Sequence, residues 1–195
     1  MTQASSTLPV SGADPHWLRT YYFLRAGVSV VWIVLAVSVA TTQPWLGAVL
    51  LVLYPVWDAV ANVIDARKTG GLNRNRAQAL NAAVSLLTAA AVFLALVTSA
   101  LPVLAVFGVW AFLAGAFQLV IGLRRWKTGG QWAMVLSGGQ SMLAGVFFVI
   151  KSGGTDLGLA AATVAPYAGF GAFYFLISAI WLTVKARRSA PARLA

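Results

Sequence analysis

Four carboxylates occur in the 195-residue chain, all of them aspartates, and two stand inside an apolar segment, YPVWDAVANVIDARKTGG (54–71). A carboxylate in such a setting can act as a base, carry a proton, ligate a cation or neutralise a buried one. Asp58 and Asp65 are seven residues apart with Asn62 between them, a spacing that puts all three on one face of a helix. Two carboxylates on one helix do not make an aspartic dyad, which draws its pair from two segments. The only histidine, His16, precedes the first apolar run and is read as an interfacial residue rather than a base. Without cysteine there is no disulfide, thiolate nucleophile or cysteine metal site, and no H-E-x-x-H or other ligand cluster occurs. No catalytic residue, metal or cofactor is expected, and the chain is read as a non-enzyme.

The elements that carry these residues follow from composition. Hydrophobic residues make up 60% of the chain and charged residues 9%, with a mean hydropathy of +0.82. A soluble domain of ordinary composition does not reach such values. Charge-free runs at 26–57, 77–123, 128–150 and 157–184 each hold one or two spans of about 20 residues, and breaks at Gln43-Pro44 and Ser99-Ala100-Leu101-Pro102 divide the longer ones. This predicts an all-α membrane bundle of six helices, roughly 17–41, 44–66, 76–99, 102–124, 131–151 and 156–185. A polar tail (1–16) precedes the single transmembrane domain (17–188), and a short tail (189–195) follows. The first sixteen residues lack a basic stretch followed by an apolar one, so helix 1 is expected to remain in the protein.

The formal net charge of +10 admits nucleic acid as a partner, but the distribution of the charge argues against it. In the six-span arrangement every Lys and Arg except Lys151, near Asp156, falls on one side. The positive-inside rule then places both termini in the cytoplasm. The same cations would meet anionic headgroups at the inner face. The partners expected are the lipid bilayer and those headgroups, with no nucleic acid; composition leaves a homo-oligomer open.

An internal repeat organises the spans. LRAGVS (24–29), LNAAVS (80–85) and LSGGQS (136–141) recur at 56-residue spacing on the odd helices. On the even helices VWDAVANVIDARK (56–68), LAGAFQLVIGLRR (113–125) and LISAIWLTVKARR (176–188) align with small gaps. Three helical hairpins result, at about 17–71, 72–130 and 131–188, related by an axis along the membrane normal. Small residues mark expected helix contacts: Gly108, Ala111, Gly115 and Gly122 on helix 4, and Ser137, Ser141 and Gly145 on helix 5. The tetrapeptide Lys68-Thr69-Gly70-Gly71 returns as Lys127-Thr128-Gly129-Gly130. It lacks the strand and the G-x-x-x-x-G-K-[ST] spacing of a phosphate loop and reads as a basic turn.

In this alignment Asp58 matches Gly115 and Ser178, and Arg25 matches Asn81 and Ser137, so both embedded charges belong to the first copy. At roughly 1.5 Å per residue from the inner interface, Arg25 lies about 8 Å deep and Asp58 about 13 Å, within reach of a long side chain. An isolated charge at that depth costs on the order of 3 kcal/mol, which pairing relieves. The remaining polar residues of the spans, Asn62, Asp65, Gln78, Asn81, Gln118 and Gln140, fall in the same cytoplasmic half. Two readings stay open: a structural polar cluster locking the helices, or a water-filled vestibule for protons or a small polar solute, as in a small transporter or channel.

Asp58 and the DAR of residues 65–67 show a partial similarity to the phosphatidyltransferases that act on CDP-alcohols, whose motif needs four aspartates over two helices; two are missing here. A wider likeness rests on RAGVSVVWIVLAV (25–37), GVWAFLAGAFQLVIGLRRW (108–126) and WAMVLSGGQSMLAGVFF (132–148), in three hairpins covering most of 20–188. These segments resemble the HdeD-like short-repeat membrane proteins. The resemblance implies a multi-pass bacterial inner-membrane protein linked to envelope stress or acid tolerance, and it brings no catalytic or binding residues with it.

Overall fold

In the computed structural model the described residues are 15–99, 102–124, 126, 132–153 and 157–189. They form six helices: α1 (Pro15–Ser38), α2 (Pro44–Lys68), α3 (Arg76–Thr98), α4 (Val103–Arg124), α5 (Trp132–Lys151) and α6 (Leu157–Ser189). No strand occurs among these residues. All six helices are long and apolar enough to cross a membrane. The predicted limits differ most at two ends. Helix α1 stops at Ser38, and Val39 to Gln43 then turn on backbone bonds to the carbonyls of Leu35 and Val39. Helix α6 runs on to Ser189, beyond the predicted end and into the predicted tail, because Lys185, Arg187 and Arg188 are good helix formers at a wet helix end. The tetrapeptide after α2 is a helix stop. Gly70 and Gly71 have φ of +110° and +91°, and the Gly71 N–H bonds to the Ala66 carbonyl at 2.7 Å, closing the helix in a Schellman turn. The second tetrapeptide lies outside the described residues.

The helices follow one another around a ring that α6 closes against α1, and α6 also touches α2 and, more lightly, α4 across the middle. Tight and loose seams alternate. The close pairs are α2 with α3, α4 with α5 and α6 with α1, whereas α1 with α2, α3 with α4 and α5 with α6 meet sparingly. The chain's hairpins are therefore loose, and each even helix packs hardest on the odd helix of the next copy.

Apolar side chains gain little by exchanging lipid for one another, so a seam tightens where backbones can approach. Along α4 and α5 glycines meet at two levels, Gly108 with Gly145 and Gly115 with Gly138. A Cβ on Gly108 would sit 2.6 Å from the Gly145 carbonyl oxygen, and one on Gly115 would sit 2.5 Å from that of Gly138. Gly122 meets Val135 in the same seam, and the Ser141 hydroxyl donates to the Ala111 carbonyl at 2.8 Å. Gly138, rather than the neighbouring Ser137, is the small residue of α5 in this contact. In α6 the buried positions are mostly alanine, including Ala165, Ala168, Ala172 and Ala179. Outward faces carry residues such as Leu87, Leu143, Ile150 and Trp181, which are more than two-thirds exposed and suited to lipid.

The half of the bundle that holds Lys151 is filled by a dry core including Ala36, Leu50, Leu51, Leu104, Ala161 and Val164. Below it lies an aromatic layer. Tyr54, Trp110 and Tyr167, one from each even helix, meet edge to face: the Tyr54 and Trp110 rings are 5.9 Å apart at 86°, and those of Trp110 and Tyr167 are 6.3 Å apart at 73°. Trp32, Phe107 and Phe148 extend the layer sideways. Pro55 has no N–H for the Leu51 carbonyl, which loosens α2 beside Leu50, whose own carbonyl accepts the Trp32 indole N–H at 2.9 Å.

Candidate functional site

On the basic-end side of the aromatic layer, all six helices line one cavity of about 330 Å³. The repeat explains its shape. The last and second positions of the six-residue LxxxxS motif both point inward, giving Ser29, Ser85 and Ser141 at one level and Arg25, Asn81 and Ser137 at the next. Four residues after Tyr54, Trp110 and Tyr167, the even helices present Asp58, Ala114 and Gly171. These spatial counterparts correct the sequence alignment, because Gly115 faces α5 and Ser178 is not part of the wall. In α4 the slip is one residue, which rotates a helical side chain by about 100°, and in α6 it is seven, about two turns along the axis, so a register chosen on Ala59, Ala116 and Ala179 misplaces both counterparts.

The charged third of the site is closed by hydrogen bonds. The Arg25 guanidinium donates to the Asp58 carboxylate across the loose α1–α2 seam, and both side chains are sheltered, at 14% and 22% exposure. Asp58 also accepts from the Asn62 amide at 3.0 Å and the Ser85 hydroxyl at 2.8 Å, and Ser85 in turn accepts the Trp110 indole N–H at 3.2 Å. Four helices are thereby tied through one carboxylate. Arg25 donates a further bond to the Tyr21 hydroxyl at 3.1 Å and lies 4.4 Å from the ring centre of Phe175 on α6. Charge-assisted bonds in a sheltered site are the strong ones, so this third is filled and rigid.

The remaining two-thirds is more open. Gln118 accepts from Ser137 at 3.4 Å, and Gln140 accepts from the Tyr174 hydroxyl at 2.8 Å, bridging α5 and α6. Asn81 lines the same space, as does Ser141, whose hydroxyl pairs with that of Tyr167 at 3.1 Å. A Cβ on Gly171 would have only the Tyr54 hydroxyl near it, at 4.0 Å. Two buried donors of wall residues, Arg25 Nε and Trp57 Nε1, have no hydrogen-bond partner among the described residues.

Asp65 is not part of the wall. It lies nearer the basic end, where it accepts from the Trp17 indole at 3.4 Å and the Gln78 amide at 3.3 Å, stitching α1, α2 and α3 together. Of the polar residues singled out in the sequence, Arg25, Asp58, Asn62, Asn81, Gln118, Gln140 and Ser141 share the cavity. Gly108, Gly115, Gly122 and Gly145 instead belong to the α4–α5 seam. The sequence reading missed the aromatic layer and Ser85. Both carry a signal, since an aromatic recurs at Tyr54, Trp110 and Tyr167 with nearly the repeat spacing, and the motif's final serine is buried in every copy. Among the described residues no group of three or more His, Cys, Asp or Glu could hold a metal.

The α3-to-α5 portion of this architecture, with its glycine seam, is also where the chain matches a known family. Residues 80–150 match DUF308, a short repeat of unknown function. The DUF308 segment begins at the second copy of the LxxxxS motif and ends with α5, so it contributes Asn81, Ser85, Gln118, Ser137, Gln140 and Ser141 to the wall while Arg25 and Asp58 come from outside it. No curated protein and no solved structure matches the chain.

Proposed function

We propose that this chain is a multi-pass protein of the bacterial inner membrane, with both termini in the cytoplasm, that works without enzymatic chemistry by holding a polar ligand group in the cavity beside Asp58. The observation that carries this reading is a space of about 330 Å³, walled by aromatic and small apolar residues with a few polar groups among them, that ends at the aromatic layer and the dry core. That volume falls in the range of small-molecule sites, and apolar walls with a few placed polar groups suit binding. A role in envelope stress or acid tolerance rests on the family resemblance. Titratable groups that are already paired with each other, as Arg25 and Asp58 are, favour binding over proton conduction.

The test uses the absence of native cysteine. Ser137→Cys in membrane vesicles is expected to react with a small hydrophilic thiosulfonate from the cytoplasmic side and to be protected from the outside. Equal protection from both sides would mean that the space is sealed or dry. Topology is checked in parallel: cysteines at Thr42 and Ser99 should label from outside with an impermeant maleimide, and one at Gly71 should not. Outside labelling at Gly71 would overturn the orientation.

A second reading, a small transporter, is favoured by the position of an ion pair on the cavity wall. It requires solute or proton flux in liposomes that disappears in Asp58→Asn. The binding reading expects no flux from either protein.

A further inference from the structure

Resting on the cavity reading above, we infer that the site opens sideways to the bilayer between α5 and α6, and that its ligand is a membrane-dissolved amphiphile with an uncharged, oxygen-bearing head.

The wall is unequal. Its residues from α1, α2 and α3, among them Tyr21, Asp58 and Ser85, are buried or half-buried, whereas Gln118, Gln140 and Phe170 from α4, α5 and α6 are exposed. The α5–α6 seam is a loose one, bridged at this level by the Gln140–Tyr174 hydrogen bond. Gln140 lies eight residues into α5 and Tyr174 eleven residues before Lys185, so the seam opens about 12 to 16 Å from the basic end, at hydrocarbon depth. A solute confined to water does not meet that opening; a lipid-phase molecule does.

The head chemistry follows from what the wall has left over. Arg25 and Asp58 neutralise each other, so the space carries no net charge to compensate an ionic head, and burying one uncompensated is costly. The carbonyl oxygens of Gln118 and Gln140 each accept one bond, from Ser137 and Tyr174, and their amide NH₂ groups join the unpartnered Arg25 Nε and Trp57 Nε1 as donors of the wall. Donors call for acceptor oxygens, as in the ester and hydroxyl groups of a monoacylglycerol. The hydrocarbon part would lie in the seam against Phe170, and the space beside Gly171 receives the head.

The experiment uses the full chain in phosphatidylethanolamine–phosphatidylglycerol liposomes and a monoacylglycerol with a photoreactive acyl chain. Crosslinks are expected in α5 and α6, displaced by unlabelled monoacylglycerol. Gly171→Leu, which fills space without meeting backbone, should cut specific labelling about tenfold or more. Gly139→Leu, on an open face of α5, should leave it intact. Joining Gln140→Cys to Tyr174→Cys with a bismaleimide before the probe is added should abolish labelling. Labelling unchanged by the joined cysteines would overturn lateral entry, and equal labelling by the anionic fatty acid of the same chain would overturn the uncharged head. If Ser137→Cys still reacts with the hydrophilic reagent while the amphiphile fails to label, this inference falls and the cavity reading stands. If Ser137→Cys is also inert, both fall.

Discussion

Gly115→Leu is expected to lower the unfolding free energy of the purified protein by about 3 kcal/mol, the upper part of the range for overpacked sites. The size follows from what the new side chain meets. Its Cβ alone would lie 2.5 Å from the Gly138 carbonyl oxygen, 2.7 Å from the Met142 nitrogen and 2.9 Å from the Ser141 Cβ. The first two are backbone atoms and cannot rotate away, so α4 and α5 must separate along the tightest seam in the bundle. Separation also breaks the Ser141 bond to the Ala111 carbonyl. Gly139→Leu provides the matched control, because nothing lies within 4 Å of a Cβ there and helix propensity favours leucine over glycine. Reversible unfolding in mixed micelles, followed by tryptophan fluorescence, separates the two. Similar midpoints for both variants would mean that the glycine seam does not hold the helices together.

Removing either partner of the Arg25–Asp58 pair should cost roughly 3 kcal/mol, because each single change strands the other charge in a sheltered site. Asp58→Asn should be the more disruptive, since the carboxylate also gathers Asn62 and Ser85 and, through Ser85, Trp110. Arg25→Gln leaves those three bonds in place and loses the contacts to Tyr21 and Phe175. The double variant should recover part of the loss, giving a coupling beyond about 1 kcal/mol in a double-mutant cycle. Asp65→Asn should be mild, because its partners, the Trp17 indole and the Gln78 amide, can also bond to a neutral amide. Strictly additive losses for Arg25 and Asp58 would show that the pair does not act as a unit in the membrane.

The spans were legible because lipid imposes a one-dimensional rule. A helix must supply about 20 apolar residues whatever it packs against, and prolines and basic clusters mark its ends. The predicted limits of α2, α3, α4 and α5 accordingly fall within a residue or two of the observed ones. The repeat was legible for the same reason, since Leu24, Leu80 and Leu136 stand at fixed spacing along the chain. The polar half of the spans could also be read, because, Lys151 apart, the charges and amides of the helices concentrate toward one end of the bundle.

Seam tightness was not legible. Adjacent helices in the chain are joined by short connections, and sequence proximity favours α1 with α2 as a packed pair, yet α1 lies closest to α6. That choice depends on which small faces can meet across the ring, and a residue's face is fixed only once the register between helices is fixed. The α4 counterpart of Asp58 illustrates it: Ala114 lines the cavity, whereas the alignment offered Gly115, which faces α5. Composition and periodicity by themselves determined six apolar helices, three copies and a polar end. The tertiary structure decided which residues face the axis and how the aromatic layer closes the cavity, because those depend on helix rotation about its own axis, which carries almost no signal in a segment apolar on every face.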